Sequence, residues 1–494
     1  MSVNTPILVG IIAYNVIVIV AVSIWLAIRK KTHALEDDYI LSGRQLPAFV
    51  VGATQALTIL GGGHIMGLTG QAQVSGIATW CYPLAHAFTL FLILYFYGPW
   101  MRRLGVTTVG EAFSIMWSPA TRPLIIGGTI ACCFGILTLE TQGLGAIFAI
   151  VTNIEIWQGC IIGAVIGLIY VLFYGMREVG WVNVVNAVAM WIMCIIAAIM
   201  FSVKLNGGWA AVNDWYMSNG MEQLLHVFGD KEIIRTYVIG SMCSILFGTT
   251  MTQATMQTSI SAKNINVCKR AALFAIPLNV VFGVFVIAFG MAAQSAGYGT
   301  GGGTPVFAMA IDLLPLPMAF MLLGVFLAAI LSTFAMMLLG SATCFCYDIQ
   351  KSYFAKREWT PKEDAKWVRI WIFILIVLDI VVATVLPPVS NTILWTVAWM
   401  VPPSLMFVIG MFYKRSTFSC IFTIIVNWIF NVILTVTPLM NIMHIDGVNY
   451  AIVMIILTLI IGFITTGLDK SAKPAFFKVY KQQRGEWDAK RSVA

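Results

Sequence analysis

Ile59-Leu60-Gly61-Gly62-Gly63-His64-Ile65-Met66-Gly67 lies inside an apolar stretch, residues 46–72, that is long enough to cross a bilayer. A helical crossing takes roughly 20 apolar residues, and each glycine inside a helix costs about 1 kcal/mol against alanine. Three in succession at mid-depth invite the backbone to unwind. Hydrocarbon tolerates free backbone groups only where they line a protein cavity, and interrupted helices of this kind form substrate and ion sites in secondary transporters. Close helix packing through small residues is the competing explanation. It uses a four-residue spacing, which three adjacent glycines do not follow. The run reads as an unwound site.

Outward from this run the whole chain has the same character. Of 494 residues 60% are hydrophobic and 10% charged, against about 25% charged in ordinary soluble domains. Apolar segments fall near 6–28, 46–72, 76–99, 123–151, 156–176, 179–203, 236–258, 271–294, 318–347, 368–387, 390–413, 416–438 and 450–468. The expected fold is all-α, a polytopic membrane protein of about 13 crossings. The first segment has no basic residue before it and is followed by Arg29, Lys30 and Lys31, not by a small-residue cleavage site, so it reads as a retained helix. The ten cysteines form no CxxC pairs, and Cys344 and Cys346 lie too close together for a zinc motif. Neither a disulfide scaffold nor a metal centre is expected.

The net charge of +8 reflects topology and implies no nucleic-acid partner. With the N-terminus outside, all basic residues but Lys204, Lys231 and Arg235 fall in cytoplasmic connections or the tail, as the positive-inside rule requires. The C-terminus is then cytoplasmic, and the lipid bilayer of a cell membrane, a bacterial inner membrane by expectation, is the surrounding medium. Two five-helix stretches begin on opposite faces, and an odd number of crossings forces consecutive units into inverted topology. The chain divides into a flanking helix (1–35), a first repeat (36–204), an outer loop (205–235), a second repeat (236–415), two flanking helices (416–468) and a tail (469–494).

Few side chains inside these segments carry chemistry. Ala329, Ser332 and Thr333 put one carbonyl and two hydroxyls within a helical turn, either as neutral ligands for a hard monovalent cation or as hydroxyls bonded to their own helix. His64 follows the glycines, and His86 lies in the next segment. Glu140 is a carboxylate at mid-depth, where charge costs roughly 2.5–3.5 kcal/mol and normally faces a cavity or a partner. It reads as a counter-ion, a proton carrier or half of a buried pair. Asp379 is equally deep, with no role assigned. Asp312 reads as a solvated or capping acid. Trp395 and Trp399 suit either a gate or interface packing, as do Trp80 and Tyr82.

Asp38-Tyr39-Ile40-Leu41-Ser42-Gly43-Arg44-Gln45-Leu46-Pro47, Met66-Gly67-Leu68-Thr69-Gly70, Gln253 and Gln257 with Ser261-Ala262-Lys263-Asn264, and Ala329-Ile330-Leu331-Ser332-Thr333 running to Asp348-Ile349 occur in this order. Together they resemble the solute:sodium symporter family over about residues 36 to 415. The resemblance implies a five-plus-five inverted-repeat core with flanking helices and Na+ as coupling ion. It also implies a sodium site made by the carbonyls of Leu57, Leu60 and Ala329 with the hydroxyls of Ser332 and Thr333. Asn183 stands where many members carry an aspartate for a second sodium, which implies a single ion. The glycine run is most similar to the choline-transporter branch, but Ile59, Leu137 and Thr252 occupy the positions of its aromatic cage, so choline is not the expected solute. By the same resemblance Gly61, Gly62, Gly63, His64, Glu140, Gln142, Thr252 and Gln253 are the candidate substrate-binding residues.

The expected function is sodium-coupled import of a small polar organic solute, an amine or amino-acid-like zwitterion, by alternating access. A proton-coupled symporter, a sodium-independent uniporter and a monocarboxylate transporter on the same fold are the alternatives. The chain shows no catalytic cluster, no soluble output domain and no Walker-type GxxxxGK[ST], which excludes an enzyme or an ATP-driven pump. Oligomeric state is not legible.

Overall fold

The computed structural model describes residues 4–29, 39–172, 175–300, 303–355, 357–385, 392–442 and 450–482. Lys30, Lys31, Asp38, Gly301, Gly302, Lys356 and the tail beyond residue 482, on which parts of the topology and motif readings fall, lie outside these. Helix α1 (Thr5–Arg29) precedes the core. The first half of the core contains α2 (Ala48–Ile59), α3 (Thr69–Ser75), α4 (Cys81–Leu92), α5 (Gly98–Leu104), the short α6 (Val109–Met116), α7 (Arg122–Thr152), α8 (Ile156–Leu172) and α9 (Gly175–Lys204). The connecting α10 (Gly208–Ser218) leads to α11 (Lys231–Ile233), α12 (Ile239–Gly248), α13 (Gln253–Ile260), α14 (Ile265–Arg270), α15 (Ala272–Ser295), α16 (Thr304–Leu313), α17 (Leu316–Thr343), α18 (Pro361–Val385), α19 (Thr392–Ala398) and α20 (Val401–Phe412). Flanking helices α21 (Thr417–Val436), α22 (Leu439–Ile442) and α23 (Tyr450–Leu468) follow, then α24 (Phe476–Gln482).

Among the described residues ten helices are long and apolar enough to cross a membrane, or eleven if the bent pair Lys231–Gly248 and Gln253–Ile260 is one span. The expectation of about 13 is larger. The difference lies in the shorter apolar helices Ala48–Ile59 and Ile156–Leu172 and in that bent pair, which the sequence reads as three crossings; the run Gly63–Leu104 is counted as one. That run turns at Gly76, whose φ of +58° suits glycine and whose missing side chain leaves room for the Leu224 carbonyl.

Burial sorts the helices into mast and shell. The crossing that contains α17 is buried along its whole apolar window, whereas that of α1 is 28% buried. α17 touches α1, α2, α7, α9, α13 and α18, while α1, α9, α18 and α21 turn Ile, Val and Phe side chains outward. An apolar outer surface is what lipid rewards, and helix contacts then depend on packing, not on hydrophobic exclusion.

Inversion is visible at one contact. Leu46, at the entrance to α2, pairs with the exit of α13: its N–H donates to Ser261 O (3.1 Å), and the Lys263 N–H donates to Leu46 O (3.1 Å). The opening helix of the first half thus enters the bundle where that of the second half leaves it. Basic connections collect on this same face. Arg44 Nη2 donates to Gly105 O (2.8 Å), Arg102 Nε to Ala262 O (3.0 Å) and Arg415 Nη1 to Met116 O (3.0 Å). Arg122 Nε pairs with Asp348 Oδ1 at 2.7 Å. The opposite face is tied separately, through Tyr216 Oη to Gln294 Oε1 (2.6 Å) and Tyr298 Oη to Asp312 Oδ2 (2.5 Å).

Candidate functional site

The glycine run interrupts its helix. α2 ends at Leu60, which leaves helical geometry at φ −80° and ψ 50°. The Gly61 N–H then donates to Ile59 O (3.0 Å), and the N–H groups of His64 and Ile65 both return to Gly61 O at 3.0 Å. Helix resumes through a wide turn, Gly63–Leu68, into α3. A restarted helix exposes its first amides and the positive end of its dipole. Glu140 of α7 fills this position. Its Oε2 accepts from the Gly62 N–H at 2.5 Å. Only glycine fits at 61, where a Cβ would fall on the Glu140 carboxyl group. The carboxylate that looked isolated in the sequence is 1% exposed and caps the break.

The second half carries a matching interruption. α12 and α13 meet at 52° across Thr249–Thr252, a break the sequence reading did not find. Thr252 caps α13, accepting from the Thr255 N–H at 3.4 Å, and Thr255 Oγ1 donates to Thr249 O at 3.1 Å. The signal was the cluster Gly248-Thr249-Thr250-Met251-Thr252, since threonine favours caps over helix interiors. Between the two breaks lies a small cavity of about 30 Å³. Thr58, Ile59, Gly63 and His64 line it from the first broken helix, and Ile245, Thr249, Thr252 and Thr255 from the second. Tyr82 and His86 (α4), Ile136 and Glu140 (α7), Thr333 and Met337 (α17) and Val397 (α19) complete it.

His64, Tyr82 and His86 form one ring cluster, with centroids 5.2 Å apart for His64–Tyr82 and 4.8 Å for both His64–His86 and Tyr82–His86. His86 Nδ1 lies 3.3 Å from Tyr82 O. His64 is 1% exposed. Its Nε2 has no partner among the described residues.

On α17, Thr333 Oγ1 donates to Leu57 O on α2 at 2.7 Å and lies 3.5 Å from Ala329 O. The link joins the mast to the first broken helix one turn before the break. Ser332 Oγ is fully buried without a partner among the described residues. Buried hydroxyls are nearly always satisfied, so an orphan on the residue before the Thr333–Leu57 link fits a position that receives an ion.

Other candidates stand elsewhere. Gln253 is absent from the cavity: its Oε1 accepts from the Val109 N–H (2.9 Å) and its Nε2 donates to Thr107 O (3.1 Å). Gln142 turns away as well, donating to Ala383 O at 3.2 Å on α18. Gly61 and Gly62 face Glu140 and do not line the cavity. Asp379 accepts from Thr138 Oγ1 (2.9 Å) and Thr141 Oγ1 (2.5 Å), which pins α18 to the far side of α7. Asn183 Oδ1 accepts from Tyr170 Oη at 3.4 Å. Trp395 and Trp399 contact each other edge-on, and Trp395 bonds Thr435 and Trp399 meets Trp428, both on α21.

Two opposed broken helices around a cavity lined by histidine, glutamate and threonine side chains, within a helical bundle, define the class of a secondary membrane transporter, not of an enzyme. The sequence matches the model of the Sodium:solute symporter family over residues 39–426, and the chain belongs to that family, whose coupling ion is Na+. It is 22% identical over 446 residues to the sodium/glucose cotransporter of Vibrio parahaemolyticus, covering 82% of this chain and 81% of that protein. It is 27% identical over 225 residues to the symporter YidK of Escherichia coli (strain K12), a match spanning 43% of this chain and 38% of that protein's length. Among solved structures, the substrate-bound outward-open state of a Na+-coupled sialic acid symporter superposes with a TM-score of 0.80 at 20% identity, covering 95% of this chain and 98% of the other. That likeness is one of fold.

Proposed function

We propose that the chain is a sodium-coupled symporter that imports a small polar organic solute by alternating access. In this reading sodium sits between α2 and α17 on the carbonyls of Leu57, Leu60 and Ala329 and the hydroxyls of Ser332 and Thr333, while the solute occupies the cavity between the helix breaks. The observation that carries it is Thr333 bonded to the Leu57 carbonyl beside the buried, unpaired Ser332 hydroxyl. A monovalent hard cation is satisfied by uncharged oxygens, and the Thr333–Leu57 bond brings two of the candidate ligands together where the mast meets the broken helix. Asn183 is neutral where a second site would want a carboxylate, which favours one sodium per solute.

The energetics suffice for accumulation. One inward charge across about 100 mV supplies roughly 2.3 kcal/mol, and a tenfold sodium gradient adds about 1.4 kcal/mol. The sum of about 3.7 kcal/mol supports a concentration ratio of several hundredfold. The basic face carrying Arg44, Arg102, Arg122 and Arg415 is the cytoplasmic one in this reading, with the N-terminus outside. An amine or amino-acid-like zwitterion is the favoured solute class, because a carboxylate and a histidine line the cavity.

The test is a thermal-shift screen of purified protein against amines, amino acids, monocarboxylates and nucleobases, in sodium and in potassium. Stabilisation by sodium, enhanced for one solute class, is the expected outcome. Equal stability in both salts with solute stabilisation that depends on pH favours the proton-coupled alternative, for which Glu140 is the carrier.

A further inference from the structure

We propose that the Glu140 carboxyl group fills the anion-recognising position at the helix break beside the cavity, so that the site rejects carboxylate-bearing solutes and selects an N–H-bearing organic cation. This rests on the reading of the cavity as the solute site and narrows its substrate class from amines and zwitterions to amines alone.

The amides of a restarted helix are the natural seat for an anionic group of a bound solute. Here Gly62 gives its N–H to Glu140 Oε2, and the absence of a Cβ at Gly61 makes room for that carboxyl group. The seat is built into the chain and filled by it. A solute carboxylate would find this position already taken.

What the cavity offers instead is acceptors and an aromatic face. Glu140 lines it. His64 Nε2 is buried and without a partner among the described residues, and in the tautomer protonated on Nδ1 it presents its lone pair to the cavity. The Tyr82 ring packs against His64 in the same wall, where a cation gains from the π face. A quaternary ammonium has no N–H for two acceptors and has no aromatic cage here, since Ile59 and Thr252 stand in its place. A primary ammonium, amidinium or guanidinium group satisfies both.

The experiment uses full-length protein in detergent, with sodium present, and follows melting temperature against butylamine, butyramide, butyrate and tetramethylammonium. Butylamine should stabilise at a concentration at least about tenfold lower than butyrate or tetramethylammonium, the span of one charge-assisted hydrogen bond. Glu140→Gln, which keeps shape and an acceptor oxygen, should remove most of that preference. Glu140→Ala should reverse it, butyrate now stabilising through the vacated Gly62 amide. Stabilisation of the unsubstituted protein by butyrate, an unchanged amine preference in Glu140→Gln, or no difference among the four probes would overturn the proposal. The sodium response without solute reads the ion site separately, and its loss in the unsubstituted protein would count against sodium coupling, not against this assignment.

Discussion

Thr333→Val removes one hydroxyl and keeps the branched shape, so its effect isolates the oxygen. Thr333 Oγ1 reaches Leu57 O at 2.7 Å. Losing that interhelical bond should cost about 0.6 kcal/mol within a membrane bundle, and up to about 1.5 kcal/mol. Sodium affinity should suffer more, because interactions with a charged partner are worth about 1.5–3 kcal/mol. At 1.4 kcal/mol per factor of ten, the half-saturating sodium concentration rises about ten- to hundredfold. The assay is melting temperature against NaCl with KCl holding ionic strength constant, where a ligand at a hundred times its dissociation constant stabilises by about 2.7 kcal/mol. Thr333→Ser should restore most of the affinity, and Ser332→Ala combined with Thr333→Ala should abolish the sodium response. A folded Thr333→Val protein with an unshifted sodium midpoint would refute the ion site.

Other substitutions separate structural from coupling roles. Gly61→Ala places a methyl group on the Glu140 carboxyl, and the overpacking should cost about 1–3 kcal/mol, read as a lowered melting temperature and a loss of solute binding. Asp379→Asn should cost about 1 kcal/mol, because Thr138 and Thr141 keep the carbonyls of Phe134 and Leu137 at 3.1 Å; its sodium midpoint should match the unsubstituted protein, and a shifted one would give Asp379 a coupling role. Gln253→Leu removes both bonds to the Thr107–Val109 loop and should raise maleimide labelling of native buried cysteines such as Cys344, as measured by mass.

The fold was legible because each of its signals is local. Twenty-residue apolar blocks announce crossings, and Gly61-Gly62-Gly63 announces a break because no packing pattern explains it. The second break was hidden. Its threonines look like ordinary membrane-helix residues satisfied by their own carbonyls, and only the Thr252 cap and the 52° bend distinguish them. Glu140 was conspicuous, yet its partner is 78 positions away, and nothing in periodicity connects an acid on α7 to amides after α2. The resemblance gathered Gln142 and Gln253 into the site by residue type. Their directions depend on which helix face α7 and α13 turn to the cavity, a property of packing. Asp379 lacked an assignment for the same reason, since Thr138 and Thr141 lie on a neighbouring helix.

Gln253 has a further consequence. It is the first residue of α13, the half of the second broken helix that ends at Ser261 beside Leu46, and it holds the loop before α6 with both ends of its amide. Thr108, in that loop, donates to Asp348 Oδ1 at 2.6 Å, and Arg122 meets the same oxygen at 2.7 Å. A short stretch of sequence, Thr107 to Arg122, therefore buckles α13, α7 and the far end of the mast together on the basic face. Any movement of α13 against α7 on that face strains these bonds together and not one after another.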